Sequence, residues 1–177
     1  MWPVKPLCVT GLVLSFVLVF GPVSPALADT PEDSNGSSLR ADKILVIKGE
    51  RKMLLLRDGE VLREYKVSLG ANPKGPKTRR GDRKTPEGEY VIEGRIPNSA
   101  YHRALRISYP NIWDLFRAYE RGVKPGGNIM IHGLPNGINN KYRMKPDWTR
   151  GCIAVSNEEI EEIWELVPDG TPVEIRP

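Results

Sequence analysis

The sequence predicts a mainly β fold with two short helices. Short apolar segments separated by turns favour strands, and two of them flank Asp58-Gly59, a dipeptide typical of a tight hairpin. Two other segments have apolar residues at helical spacing behind a capping residue. The chain after the first 28 residues has about the usual size of one domain, so a single domain is expected, and we find no internal repeat.

The predicted strands are rich in Val, Ile, Leu and Tyr and are bounded by Gly, Pro or charged residues. They cover residues 43–48, 53–57, 61–68, 89–93, 104–109, 128–131 and 171–175, and a short strand-like segment follows Cys152. Residues 94–103 are predicted as a loop. Residues 70–84 form a second, basic loop, which lies either beside a functional site or in solvent.

Each predicted helix has its own capping residue. Asn111 can cap a helix that ends near Glu120, before Gly122. Ser156 and Glu159 form a capping box for the second helix, which ends before Gly170. The residues at helical spacing are Ile112, Leu115, Phe116 and Tyr119 in the first helix, and Ile160, Ile163, Trp164 and Val167 in the second.

The N-terminus is typical of a secretory signal peptide. Lys5 gives a positive start, Leu7 to Phe20 is apolar or small, and Ala26-Leu27-Ala28 is a cleavage motif. We expect a signal peptide at 1–28, a flexible polar leader at 29–41 and one folded domain at 42–177. The alternative is an uncleaved anchor, but the apolar run is shorter than the roughly 20 residues that span a bilayer.

Composition argues against some classes of partner. The net charge is +4, and basic residues alternate with acidic ones rather than forming stripes, so nucleic acid is not indicated. We expect no cofactor and no metal. A zinc site built from His102, His132 and Cys152 is an alternative, although no close ligand pair occurs at the usual spacing.

Cys152 would be the one cysteine of the exported chain, because Cys8 lies in the predicted signal. An unpaired thiol in an oxidising compartment is a buried apolar group, half of an intermolecular disulfide or a nucleophile. His132, at the end of a predicted strand, could take its proton and hold the thiolate as an ion pair. Gly151 would let the chain turn so that the N–H groups of Gly151 and Cys152 form an oxyanion hole.

Four ordered motifs carry a family resemblance. Residues 81–90 (GDRKTPEGEY), 131–133 (IHG), 149–153 (TRGCI) and 170–175 (GTPVEI) resemble the YkuD-type L,D-transpeptidase catalytic domain, and the match spans about Asp42 to Arg176. The resemblance implies a mixed β-sandwich-like fold with short helices and an active site under a loop. It also implies an exported enzyme of the periplasm or cell wall, without stable membrane insertion after signal cleavage.

The resemblance further implies a cysteine acyltransferase that acts on peptidoglycan tetrapeptide stems. Cys152 would attack the carbonyl of the L-centre of the third stem residue, expel the terminal D-alanine and pass the acyl group to an amine, to an envelope lipoprotein or to water. His132 would be the base, and the Gly133 carbonyl would orient it. The predicted substrate-binding residues are Arg150, which could hold a carboxylate, and Trp148 and Tyr142, which line the cleft or pack on the core.

One position departs from the family pattern. The family usually has arginine two residues after the cysteine, where this chain has Ala154. Arg150, Arg143 or Lys145 could replace that cation, or the acyl acceptor could differ. A hydrolase acting on the same bonds is therefore the first alternative to a transferase. An inactive wall-binding module is the alternative from another class.

Overall fold

A computed structural model describes Met1, Pro3 and residues 39–138 and 145–177. Apart from Met1 and Pro3, the predicted signal peptide lies outside the described residues, as does nearly all of the predicted leader. The described chain contains eight strands and two helices. In chain order they are β1 (Lys43–Ile47), β2 (Lys52–Arg57), β3 (Glu60–Lys66), β4 (Gly88–Ser99), β5 (His102–Ile107), α1 (Ile112–Glu120), β6 (Met130–His132), β7 (Ile153–Ala154), α2 (Asn157–Leu166) and β8 (Pro172–Arg176).

The strands form one mixed sheet in the order β3-β2-β1-β8-β4-β5-β6-β7. β1 pairs with β8 and β6 pairs with β7 in parallel, and the other pairs are antiparallel. β4 belongs to both halves of the sheet, because Gly88 to Val91 pair with β8 while Ile92 to Ser99 pair with β5. This division gives the sandwich-like arrangement that the sequence predicted.

The two outer ends of the sheet meet. Ser68, just after β3, exchanges two backbone hydrogen bonds with Ala154 of β7, at 2.9 and 2.8 Å. Gly70 and Thr149 form a second, parallel bridge. The segment that follows β3 therefore fixes the chain on both sides of Cys152.

The hydrophobic core lies inside this folded sheet and under α2. Every second side chain of a strand points into the core, because successive side chains of a strand lie on opposite faces of the sheet. Fully buried members from both halves include Ile44, Leu55, Leu105, Ile131 and Ile153. Ile160 and Ile163 of α2 cover them, so the predicted apolar face of the second helix is the one that packs.

β4 and β5 differ from the prediction, which assigned 94–103 to a loop. β4 continues to Ser99 and turns directly into β5 at His102. Register shifts after Ile92 and Ile96 allow this, because each irregularity absorbs a residue that does not fit the ladder. Gly94 and Pro97 look like loop residues in the sequence, but the pairing with β5 keeps the segment extended.

Helix α1 faces the opposite way from what its apolar pattern suggests. Asn111 caps the N-terminus of the helix, as predicted. It also forms a capping box with Asp114. The buried side chains are Asp114 and Ala118, while the large apolar ones are exposed: Ile112, Trp113, Leu115, Phe116 and Tyr119. Asp114 attaches the helix to β4 by accepting from the Tyr90 hydroxyl at 3.1 Å, and it also pairs within the helix with Arg117 at 2.6 Å.

Within the described residues, no helix has the length and apolar character needed to cross a bilayer.

Candidate active site

His132 and Cys152 reach the same face of the sheet through the parallel pairing of β6 and β7. Ile131 pairs with Ile153 and His132 pairs with Ala154, and both isoleucines point into the core. Because side chains alternate, His132 and Cys152 lie on the other face. Strand spacing and rise put their Cα atoms roughly 8 Å apart, within the reach of two side chains that lean towards each other.

The imidazole of His132 is held in one orientation. Its Nδ1 lies 2.7 Å from the carbonyl oxygen of Gly133, and because a carbonyl can only accept, Nδ1 carries the hydrogen. In the neutral ring, Nε2 then carries the lone pair. Burial lowers the pKa of His132, and the hydrogen bond to Gly133 offsets this only in part. The ring is therefore neutral at pH 7 and can accept a proton.

Glycine is required at position 133 by space. A Cβ there would lie 2.7 Å from Asn157 Oδ1 and 3.1 Å from both His102 Cβ and Ile160 Cγ2. The Gly133 N–H also donates to the carbonyl of Tyr101 at 3.1 Å. The carbonyl that contacts the imidazole is thus fixed by close packing of β5, α2 and the end of β6.

Two aromatic rings surround the imidazole. Tyr101 lies over it with ring centroids 4.5 Å apart, and Trp148 meets it edge-on at 5.7 Å. Trp148 and Tyr101 also contact each other at 5.9 Å. Sequence reasoning named Trp148 but missed Tyr101, which it placed in a loop; the turn from β4 into β5 brings it to the site.

The sulfur of Cys152 is partly exposed and is directed to the start of β6. Its Sγ lies 3.5 Å from the carbonyl oxygen of Asn128. Burial raises the pKa of Cys152, and a hydrogen bond from the Met130 N–H and the charge of Lys77 lower it by less. The expected thiolate–imidazolium pair is therefore not the favoured resting state. Both groups are neutral, because desolvation penalises each charged form.

The turn before Cys152 is built around Thr149. The Thr149 hydroxyl donates to the Cys152 carbonyl at 2.7 Å and accepts from the Gly151 N–H at 3.0 Å. Gly151 has φ of +131°, and a Cβ there would lie 2.6 Å from the Lys84 carbonyl oxygen. Of the two N–H donors predicted for an oxyanion hole, that of Gly151 is occupied here. That of Cys152 has no partner among the described residues.

Asp82 organises the basic loop at 70–84. Its carboxylate pairs with Lys77 at 2.7 Å and accepts from the N–H groups of Thr78, Arg79 and Lys84. Burial acts to raise the pKa of Asp82, but these hydrogen bonds outweigh it and lower the pKa. Next to it, buried Thr85 accepts from the Gly70 N–H at 3.0 Å. Asp82 and Thr85 thus fix the loop against the turn before Cys152.

The loop lies beside the site rather than in solvent. A cavity of about 860 Å³ opens at Cys152. The turn at 124–129 forms one wall, the basic loop contributes Lys77, Arg80, Gly81 and Arg83, and Arg150 completes the lining. Arg150 lies in this lining, and its role in binding substrate stays a prediction. The sequence did not show whether the cations of the basic loop lie at Cys152, because only tertiary contacts bring residues 77–83 there.

The remaining predicted residues lie elsewhere. Tyr142 and Arg143 are outside the described residues, and Lys145 is exposed. His102 contacts Glu161 at 2.6 Å and lines a separate depression with Asn136. Within ranges 39–138 and 145–177, no three His, Cys, Asp or Glu side chains are grouped so as to hold a metal ion. The described contacts thus do not group His102 with His132 and Cys152, the three residues of the zinc alternative.

Ala154 leaves no cation at the position where the family usually has arginine. It is 3% exposed, and both of its backbone polar groups bond to Ser68. A shallow depression beside it is lined by Lys66 and Trp148, among other residues.

A solved protein structure shares this fold. The crystal structure of the helical cell shape determining protein Pgp2 from Campylobacter jejuni is similar, with a TM-score of 0.57, 28% identity and coverage of 75% of this chain and 46% of that one. The fold thus defines a class of mixed-sheet domain that also occurs in a bacterial protein that determines cell shape.

The family model for the L,D-transpeptidase catalytic domain (YkuD) matches residues 41–175. This chain belongs to the L,D-transpeptidase catalytic domain family. The Escherichia coli K12 protein named L,D-transpeptidase YafK is 35% identical over 130 residues, covering 70% of this chain and 46% of that protein. The Bacillus licheniformis protein named L,D-transpeptidase YkuD is 26% identical over 192 residues, covering 100% of this chain and 99% of that protein. The chain spans about half the length of YafK and of Pgp2.

Proposed function

We propose that this chain is an exported cysteine acyltransferase that modifies peptidoglycan stem peptides by L,D-transpeptidation. One observation carries the proposal: the His132 imidazole, whose Nε2 carries the lone pair, lies on the same sheet face as the Cys152 sulfur, and Cys152 lines an open cavity. Membership of the L,D-transpeptidase family supplies the substrate class, a tetrapeptide stem of the cell wall.

In the first half-reaction, His132 Nε2 takes the proton of Cys152 as the sulfur attacks. The attacked carbon is the carbonyl of the L-centre of the third stem residue. Because both groups are neutral at rest, proton transfer accompanies attack rather than preceding it. The Gly133 carbonyl stabilises the imidazolium that forms, since Nδ1–H donates to it throughout.

The developing oxyanion needs N–H donors. The Cys152 N–H is available, and the Gly151 N–H can join it once it releases the Thr149 hydroxyl. The tetrahedral intermediate then collapses, the C–N bond to the terminal D-alanine breaks, and His132 Nε2–H protonates the leaving amine. The product is a thioester on Cys152.

The second half-reaction regenerates the thiol. An amine of a neighbouring stem or of an envelope lipoprotein loses a proton to His132 and attacks the thioester, so that an amide forms and the C–S bond breaks. Water is the alternative nucleophile. The buried Ala154 favours this hydrolytic alternative, because no cation is present at that position to bind an acceptor carboxylate.

Purified disaccharide tetrapeptides distinguish the two activities. After incubation with the protein, mass spectrometry detects cross-linked dimers if acyl transfer occurs and tripeptides if water is the acceptor. Unchanged tetrapeptides with the wild-type protein would contradict both activities. Cys152→Ala is the matched inactive control, because it removes one sulfur and leaves the cavity open.

A catalytically inactive wall-binding module is the competing proposal. It predicts that tetrapeptides bind but do not react and that Cys152→Ala has no effect on wall binding or on products. A thiol-directed probe in a Cys8→Ser chain tests access to the sulfur, since the sequence has two cysteines. Absence of labelling in the folded protein would favour the module.

The proposed location is the periplasm or cell wall, reached by cleavage after Ala28. The family acts on cell-wall peptides, and residues 1–28 have the composition of a secretory signal. The catalytic domain would then be 42–177, preceded by a leader at 29–41. Mass spectrometry of the N-terminus of the exported protein tests the cleavage site.

A further inference from the structure

The exposed apolar side chains of the described residues are concentrated on one helix. Five of the nine large ones belong to α1, and each is between 46% and 83% exposed: Ile112, Trp113, Leu115, Phe116 and Tyr119. At about 200 Å² for a full side chain of this kind, their exposed area is roughly 600 Å². That area is at the upper end of what a monomer exposes in one patch, and patches of this size mark contact surfaces.

The five side chains form a ridge along the outward side of α1. At 3.6 residues per turn, Ile112, Phe116 and Tyr119 follow one line, and the other two flank it. Asp114 and Ala118, the buried residues of the helix, lie on the opposite side. The ridge therefore protrudes from the domain as a convex apolar surface.

Positive charge collects at the C-terminal end of this ridge. Arg121 and Lys124 follow the helix and are exposed. The backbone N–H of Arg80 donates to the Lys124 carbonyl at 2.7 Å, which places exposed Arg80 near them. Glu120 is the one exposed carboxylate of residues 112–124, so the charge beside the ridge is net positive.

An apolar ridge with aromatic rings and flanking cations has the composition of a helix that lies on an anionic membrane surface. Tryptophan and tyrosine favour the boundary between headgroups and acyl chains, because their rings are partly apolar and partly polar. Lysine and arginine attract anionic lipids. Such a helix lies in the plane of the membrane and does not span it, which agrees with its length of nine residues.

Two other occupants fit this ridge less well. A second copy that packs its own ridge here covers only the line where two convex helices touch. That contact buries less than the roughly 1,200 Å² of a stable interface. A glycan strand could stack on the rings of Trp113 and Tyr119, but Ile112 and Leu115 would cover sugar hydroxyl groups without giving them hydrogen bonds. Fluid acyl chains adapt to a convex ridge and bury all five side chains.

We infer that the ridge and the cations beside it form a membrane-docking surface for bilayers that contain anionic phospholipids. The five apolar side chains enter the headgroup boundary, and Arg80, Arg121 and Lys124 lie against the lipid phosphates. Arg80 and Lys124 also line the cavity at Cys152, so docking holds the mouth of that cavity near the membrane surface. The docking involves no turnover and is therefore independent of the proposed function.

Co-sedimentation of the purified protein with lipid vesicles tests the inference. We expect binding to vesicles of phosphatidylglycerol and phosphatidylethanolamine, and much weaker binding to vesicles of phosphatidylcholine alone. Added salt should weaken binding to the anionic vesicles, because part of the attraction is between charges. Absence of binding to the anionic vesicles, or equal binding to both compositions, would overturn the inference.

A double substitution assigns the binding to the ridge. Trp113→Ser with Phe116→Ser should lower the partition coefficient on anionic vesicles by at least about tenfold, because two rings no longer enter the bilayer. Val61→Ser is the matched control, since Val61 is an exposed apolar residue on β3. Every variant has the same N-terminus, so residues 7–20 cannot cause a difference. Equal binding of wild type and the double variant would refute a role for α1.

Charge substitutions test the cations separately, without changing the helix. Arg121→Gln and Lys124→Gln should each lower partition onto the anionic vesicles by about fivefold and have little effect on neutral ones. Lys66→Gln is the matched control, since Lys66 is an exposed cation on β3. An equal decrease in the control would mean that net charge, rather than this surface, determines binding.

Two further measurements detect the other occupants. Analytical ultracentrifugation shows whether wild type is a dimer that the double variant of Trp113 and Phe116 dissociates. Sedimentation with isolated cell walls shows whether that variant loses binding to glycan. Either loss, combined with unchanged vesicle binding, would mean that the ridge contacts that occupant and that the inference is wrong. Unchanged melting temperatures confirm that the variants are folded.

Discussion

The imidazole of His132 packs against the phenol ring of Tyr101, with centroids 4.5 Å apart and ring planes tilted by 38°. Tyr101 is 39% exposed, whereas His132 is 3% exposed, so the tyrosine separates the imidazole from water. This separation contributes to the burial that lowers the pKa of His132.

Replacing Tyr101 by alanine should raise the pKa of His132 towards its ordinary value, because water would reach the ring. As the base must be neutral, the acid limb of the kcat/KM profile should move to higher pH. Tyr101→Phe keeps the ring and should leave the limb in place. An identical acid limb in all three proteins would show that Tyr101 does not shield the base.

The thiol of Cys152 should react slowly at neutral pH. Burial raises its pKa above the ordinary value of about 8.5, so the thiolate fraction, and with it the rate of alkylation, should keep rising above that pH. Iodoacetamide kinetics in a Cys8→Ser chain measure this directly. A rate that is already constant between about pH 6 and 8 would indicate a preformed thiolate–imidazolium pair.

His132 and His102 form a natural comparison, since they are the two histidines of the sequence. His132→Ala should reduce kcat by about 10²- to 10⁴-fold, the usual contribution of a general base. His102→Ala should reduce it little, because that ring pairs with Glu161 away from the cavity. Melting temperatures of both variants provide the folding control. Near-wild-type turnover in His132→Ala would remove it from the mechanism.

In helix α1, replacing a buried polar residue should reduce stability more than replacing an exposed aromatic residue. Asp114→Ala should lower the free energy of unfolding by about 1–3 kcal/mol, because the Asn111 N–H loses its acceptor and the Tyr90 hydroxyl keeps only the Glu87 carbonyl at 3.2 Å. Trp113→Ala should change it by less than about 0.5 kcal/mol, since Trp113 is 67% exposed. Urea denaturation measures both, and a larger loss for Trp113→Ala would mean that this face is covered in solution.

The order of elements was predictable because local patterns determine it. Asp58-Gly59 predicted the β2–β3 hairpin, and Asn111 and Ser156 predicted the starts of both helices, which the structure confirms. Caps and tight turns depend on a few neighbouring residues, so they can be read from the sequence. The extension of β4 through Gly94 to Ser99 could not be read this way, because pairing with β5 keeps it extended.

The sequence also could not show which face of α1 packs against the sheet. Periodicity shows that a helix has two faces, and the usual expectation is that the apolar one is buried. Here Asp114 is the buried residue, because Tyr90 on β4 offers it a hydrogen bond. Which face packs depends on what the neighbouring strand presents.

By itself, the sequence determined the family and the fold class and predicted the pair Cys152 and His132 for the chemistry, because ordered motifs and turn residues are encoded locally. Only the tertiary structure decided the surroundings of that pair. It brought Tyr101 onto His132, occupied the Gly151 N–H with Thr149 and gathered cations from three segments at Cys152. Desolvation and charge depend on everything within several ångströms, and most of those neighbours are distant in the chain.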